Sequence, residues 1–211
     1  MQNLRKYLIL ILACLPTLAT AGVYEDMLHA IRNDDESTVA SLLKRGVDVD
    51  TVSAEGESLL MLAVKEGKPN VINRILSVGP KINVRNAYGE TALMLAALKG
   101  STETVKVLLE KGATANNPGW TALMYSAVNN RLDVARLLIG RGAQVNAAAD
   151  NGTTALMMAA REGHLQMVLL LLEHGADVNH RTQFGYSALN VAKDRKMNEV
   201  AKILIKAGAE E

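Results

Sequence analysis

The 211-residue chain is long enough for one or two ordinary domains. It is 49% hydrophobic but only 3% aromatic, so its core must be built from Leu, Ala, Val, Ile and Met, which suits helices packed at close range. Its 23 basic and 22 acidic residues nearly cancel, for a formal net charge of +1, which gives no case for nucleic acid, whose binders carry a basic face.

The chain opens on MQNLRKY, then the apolar run LILILACL, then PTLATA. A basic start, a short apolar stretch and the small-residue site Ala19-Thr20-Ala21 predict a cleavable export leader over residues 1–21. The stretch from Tyr7 to Ala21 contains Pro16 and is shorter than the roughly 20 apolar residues of a membrane-spanning helix, so no permanent anchor is expected. Loss of the leader removes Arg5 and Lys6 and leaves 21 basic against 22 acidic residues. It also removes Cys14, the only cysteine, so the mature chain has neither disulfide nor thiol chemistry. Ile11-Leu12-Ala13-Cys14 resembles a lipobox, although Leu12 stands where that motif has a small residue.

Beyond the leader the chain is periodic. Gly46, Gly79, Gly112, Gly142, Gly175 and Gly208 are 33, 33, 30, 33 and 33 residues apart, the mark of a stacked array. Hydroxyl residues recur in register at Ser58, Thr91, Thr121, Thr154 and Ser187, each two residues after a glycine (Gly56, Gly89, Gly119, Gly152, Gly185). The predicted repeats run over about 22–54, 55–87, 88–117, 118–150, 151–183 and 184–211. The first, from Tyr24 to Val52, lacks the turn glycine and the threonine, and the last stops at Gly208-Ala209-Glu210-Glu211; both read as end caps.

One repeat illustrates the physics. Gly89 permits a tight turn, Thr91 caps a first helix, and Leu93, Ala96 and Ala97 give that helix an apolar side. Gly100 breaks it, Ser101 starts a second helix carrying Val105, Leu108 and Leu109, and Gly112 ends that helix. No repeat buries its apolar face alone, so the copies must stack.

The run G-x-T-A-L-M-x-A-A, a glycine, then V-x-x-L-L-x-x-G-A-x-V-N resembles the ankyrin repeat and covers residues 22–211. The family's Thr-Pro-Leu-His is here Thr-Ala-Leu-Met. The resemblance implies an all-α ankyrin-repeat solenoid of about six helix–turn–helix repeats with short finger turns, acting as a monomeric, non-enzymatic protein-binding module without cofactor.

Candidate chemistry is sparse. His29, His164, His174 and His180 fall on different elements with no ligand pair four residues apart, so no metal site is expected. Met61, Met94, Met124 and Met157 share one position in four successive repeats; thioethers favour Cu(I), but a flexible side chain between Leu and Ala is ordinary core filling. Asn151-Gly152-Thr153 matches a glycosylation sequon and equally a turn.

In ankyrin-like stacks the fingers and first helices line a concave face that binds proteins. Five of the six aromatic residues beyond the leader map there: Tyr88, Trp120, Tyr125, Phe184 and Tyr186. The finger before Trp120 is three residues short, with two residues between Asn116 and Gly119 against five between Asn83 and Gly89. The uncharged Leu98, Val128 and Asn129 are expected around the resulting notch. The predicted partner surface is Tyr88, Leu98, Trp120, Tyr125, Val128, Phe184 and Tyr186, with Trp120 contributing to binding rather than folding.

The functional expectation is a module exported to the periplasm that supports or regulates a partner protein, in the manner of exported bacterial ankyrin proteins thought to support enzymes of peroxide-stress defence. Two alternatives are an immunity or inhibitor protein blocking a toxic periplasmic hydrolase and a methionine-based copper carrier.

Overall fold

The computed structural model describes residues 22–210; the expected leader, Cys14 and the final glutamate lie outside the described residues. Among the described residues the helices run in pairs: α1 (residues 22–32) and α2 (Glu36–Lys44), α3 (Leu59–Glu66) and α4 (Pro69–Ser77), α5 (Ala92–Lys99) and α6 (Thr102–Glu110), α7 (Ala122–Val128) and α8 (Leu132–Gly140), α9 (Ala155–Glu162) and α10 (Leu165–Glu173), α11 (Ala188–Asp194) and α12 (Asn198–Lys206). They form two compact units, α1–α4 in residues 22–80 and α5–α12 in residues 81–210.

The recurrent hydroxyl does what its spacing predicts. Ser58, Thr91, Thr121, Thr154 and Ser187 each precede a first helix in extended backbone and accept from the backbone N–H three residues on, at 3.2–3.4 Å. That satisfies one of the amides every helix start leaves open. Gly67, Gly100 and Gly163 end three of these helices in the left-handed region. Where no glycine stands, Asp34, Asn130 and Lys196 take the same conformation at φ 56°, 52° and 58°. At the end of α6, the amides of Gly112 and Ala113 turn back onto the carbonyls of Leu109 and Leu108, closing the helix as expected. Ser101 occupies the start of α6, but its hydroxyl makes no capping bond.

In the unit of residues 22–80, α4 packs on α3 and α2, over Met27, Ile31, Leu60, Met61 and Ile75. In the unit of residues 81–210, the first helices α5, α7, α9 and α11 pack in a row, each also against its own second helix. The row is the core: all six residues from Ala92 to Ala97 are buried, whereas α6 buries only Val105 and Leu108. Ala96, Ala97 and Ala127, at 0% exposure, let these helices approach closely. Met61, Met94, Met124 and Met157 are all buried, as core filling requires.

Consecutive repeats of this larger unit are also bracketed by an asparagine. Asn83 donates its amide N–H to the Gly112 carbonyl at 3.1 Å and accepts from the Thr114 backbone at 2.9 Å. Asn116 does the same to Gly142 and Gln144, Asn146 to Gly175 and Asp177, and Asn179 to Gly208 and Glu210, at 2.8–3.0 Å. A primary amide both donates and accepts, so one side chain pairs two backbone groups of the next turn.

Candidate protein-interaction face

The fingers precede the first helices, and four of them close with one hairpin. The amides of Ser53, Asn86, Ala149 and Thr182 donate to the carbonyls of Glu57, Glu90, Thr153 and Tyr186, while Gly56, Gly89, Gly152 and Gly185 turn back onto the first residue of each. All four glycines have φ of 75–82°, which side chains resist. The finger over Asn116–Trp120 lacks the three residues that would complete this hairpin and is held otherwise: Asn117 donates to the Thr114 carbonyl, and Arg85 of the preceding finger donates to the Pro118 carbonyl at 3.0 Å. Farther along, Gln183 N–H donates to the Asn151 carbonyl at 3.1 Å, tying the last two fingers together.

The aromatic residues stand on this edge of the larger unit. Tyr88 and Phe184 sit at finger tips with 77% and 78% of their surface exposed, too open to be capping their own hairpins. Tyr186, on the other side of Gly185, is 48% exposed. Trp120 differs. The residue is 39% exposed, and its ring meets Tyr125 edge to face, with centroids 5.6 Å apart and planes at 68°. Trp120 therefore contributes to packing as well as to the surface, where the sequence alone suggested only the latter.

Tyr125 lies half-buried on α7, and its hydroxyl donates to Glu90 Oε1 at 2.9 Å. Burial, then that bond and the charge of Glu90, push the phenol well above its ordinary range, so it remains a donor throughout the physiological range. The other Glu90 oxygen accepts from Asn86 Nδ2 at 2.8 Å, and the Glu90 amide donates to Asn86 Oδ1 at 2.9 Å. The carboxylate is thus fixed in place by neutral groups. Asp150 approaches from the following finger: one of its oxygens is 4.0 Å from where a Cβ on Gly119 would stand. Glu90 and Asp150 were not among the predicted site residues. Glu90 holds the same place before its cap that Trp120 holds before Thr121, the one signal that could have linked the two.

Leu98 and Val128 are half-buried at the far ends of α5 and α7, about 10 Å of helix from Trp120. Their carbonyls are engaged by the next repeat: Asn129 Nδ2 and Arg131 Nε donate to Leu98, and His164 Nε2 lies 2.9 Å from the Val128 oxygen. The structure thus brings Trp120 and Tyr125 together, places Tyr88, Phe184 and Tyr186 on other fingers, and sets Leu98 and Val128 at the opposite end of the first helices.

The family profile described as ankyrin repeats matches the chain in three overlapping stretches, residues 27–116, 60–149 and 141–211. The chain belongs to the ankyrin-repeat family. Ankyrin repeats are generally scaffolds for protein–protein interaction, and the fingers and first helices described above belong to such a scaffold. No curated protein matches this ankyrin-repeat chain. No helix among the described residues is long and apolar enough to cross a membrane.

Proposed function

We propose that this ankyrin-repeat protein is exported to the periplasm, where the finger edge of residues 81–210 binds a partner protein and supports or regulates it. The observation that carries the reading is the distribution of aromatic side chains. The core of that unit is Leu, Ala, Val and Met, while Tyr88, Phe184, Tyr186 and Trp120 are all more than a third exposed along one series of fingers. Large exposed aromatics are costly to keep in water and are enriched at the centres of protein interfaces. Export is supported by the sequence of residues 1–21. An enzyme of oxidative-stress defence is the partner class that the resemblance to exported bacterial ankyrin proteins suggests.

Two measurements test it in the producing cell. The exported protein should begin at Gly22; a mature chain beginning at a lipid-modified Cys14 would overturn the cleavage proposed here. A photo-crosslinking residue at Tyr88 or Phe184 should capture one partner in the periplasmic fraction, and the same residue at Lys106 or Lys202 on second helices should not. Capture from the second helices alone would move the interface elsewhere.

A further inference from the structure

The acidic residue just before the helix cap occurs twice, with different surroundings. In the second repeat Glu57 is neutralised inside its own repeat, with Lys65 Nζ 2.7 Å from its Oε1. In the third repeat the equivalent acid is Glu90, and the position equivalent to Lys65, seven residues after the capping hydroxyl, is Leu98. Glu90 is held instead by the phenol of Tyr125 and the amide of Asn86, which carry no charge.

Beside this carboxylate stands the one indole of the chain. Trp120 meets Tyr125 edge to face and is left partly open where the shortened finger lacks its hairpin. Asp150, on the next finger, comes close to Gly119, the residue before Trp120. Arg85, on the Glu90 finger, is engaged with the Pro118 carbonyl. An aromatic face attracts a cation through its quadrupole, and a carboxylate held by neutral donors adds a full charge to the same attraction. The methylene stem of a lysine or arginine would cover the open indole while its head reaches Glu90. A carboxylate would be repelled by Glu90, and a neutral polar group would lose the charge attraction to both the ring and the carboxylate.

We propose that Trp120, Tyr125 and Glu90 form a subsite for a basic side chain, arginine or lysine, presented by the partner protein. This rests on the reading that the finger edge binds protein, and it supplies the partner's chemistry at one point: the counter-ion that Lys65 provides to Glu57 comes to Glu90 from the partner.

Trp120 is the only tryptophan, so its indole N–H resonance reports on this site alone. The probes are N-acetyl-arginine methylamide and its neutral isostere, N-acetyl-citrulline methylamide, titrated into the protein. The arginine probe should shift the indole resonance saturably at roughly millimolar concentration, as expected for so small a ligand. The citrulline probe should bind about tenfold more weakly. Leu98→Lys restores the internal ion pair and should remove the response to arginine without lowering the melting temperature. Glu90→Gln should do the same and decides the matter if Leu98→Lys fails to fold. Equal binding of the two probes, no indole shift with arginine, or undiminished arginine binding in a folded Glu90→Gln variant overturns the proposal. Crosslinking at Tyr88 and Phe184 separates the two ideas. Continued capture with a silent indole leaves a protein-binding edge without a cation subsite. An arginine response with no capture leaves a cation site without the proposed partner.

Discussion

At the scale of single residues, what matters at Trp120 is how it divides its surface between the fold and a partner. About three-fifths of the residue is covered, in part by Tyr125, and the remainder is open. Trp120→Ala should lower stability by about 2 kcal/mol or more, the aromatic pair together with the apolar surface it covers. It should weaken binding of the crosslinked partner at least tenfold, as loss of about 2 kcal/mol at an interface centre would. Calorimetry on the variant and titration with the purified partner separate the two effects; unchanged affinity would remove Trp120 from the interface. The finger glycines give a second, graded case. Gly152 and Gly185 share φ near 80°, so alanine at either is strained, but only at Gly152 would the new Cβ meet backbone, 2.8 Å from Thr182 Cα. Gly185→Ala should cost about 1 kcal/mol and Gly152→Ala clearly more, since the tied fingers must part. Thermal unfolding of the pair checks the ranking. The aromatic members of the site were legible because aromatics are rare in this chain and recur on fingers. Glu90 and Asp150 were not, because a charged side chain on a turn is ordinary until its neighbours across repeats are known. Leu98 and Val128 were placed beside the notch by their lack of charge, which does not tell how far a residue at the end of a first helix stands from the finger.

At the scale of elements the reading from sequence went furthest where backbone chemistry is local. A hydroxyl capping an amide three residues on, and a glycine closing a second helix, depend on no distant contact, and both stand in the structure at the expected residues. It went less far where another residue takes over a glycine's conformation. Lys196 has φ 58° in the turn before α12, with no sequence mark to announce it. Among the second helices, where Ser101 and its equivalents make no capping bond, α2 differs: Asp35 caps it, accepting from the Thr38 amide at 3.0 Å and from the hydroxyls of Thr38 and Ser37. These bonds favour the ionised carboxyl, first through the Thr38 hydroxyl, and pull its pKa down to about 2. The folded value lies below the unfolded one, so the cap's contribution is complete above about pH 4 and is lost as the pH falls towards 2. Amide exchange in α2 should accelerate across that window. Asp35→Asn, whose side-chain oxygen still accepts without titrating, should flatten the dependence; an unchanged profile in that variant would locate the acid sensitivity elsewhere.

At the scale of the whole molecule, stability in a repeat stack is a sum of terms within repeats and terms between neighbours. The core row of first helices supplies most of the neighbour term in residues 81–210, and it was visible in advance as alanine and leucine at helical spacing. The asparagine brackets add to that term, beside the packing of neighbouring second helices. Their recurrence four residues after each glycine was visible in the V-N of the repeat, but their role was not, since each partner lies about 30 residues away in sequence. The bracket of Asn146 holds the turn after α10, which has further described helices on both sides, whereas that of Asn179 holds the turn after α12, the last described helix. Asn146→Ala removes a donor and an acceptor together, at about 1 kcal/mol each before water replaces part of both. It should lower the melting temperature by about 2–6 °C, given roughly 2–4 °C per kcal/mol in a chain of this size. The loss at an interior joint also weakens coupling between the repeats on either side, so the transition should broaden. Asn179→Ala frees the turn after α12, against which no further described helix packs, and should shift the midpoint less and leave the transition sharp. Differential scanning calorimetry of the two variants beside the parent decides between them. Equal effects would mean that the brackets act only within the turns they touch and that the helices alone carry the coupling.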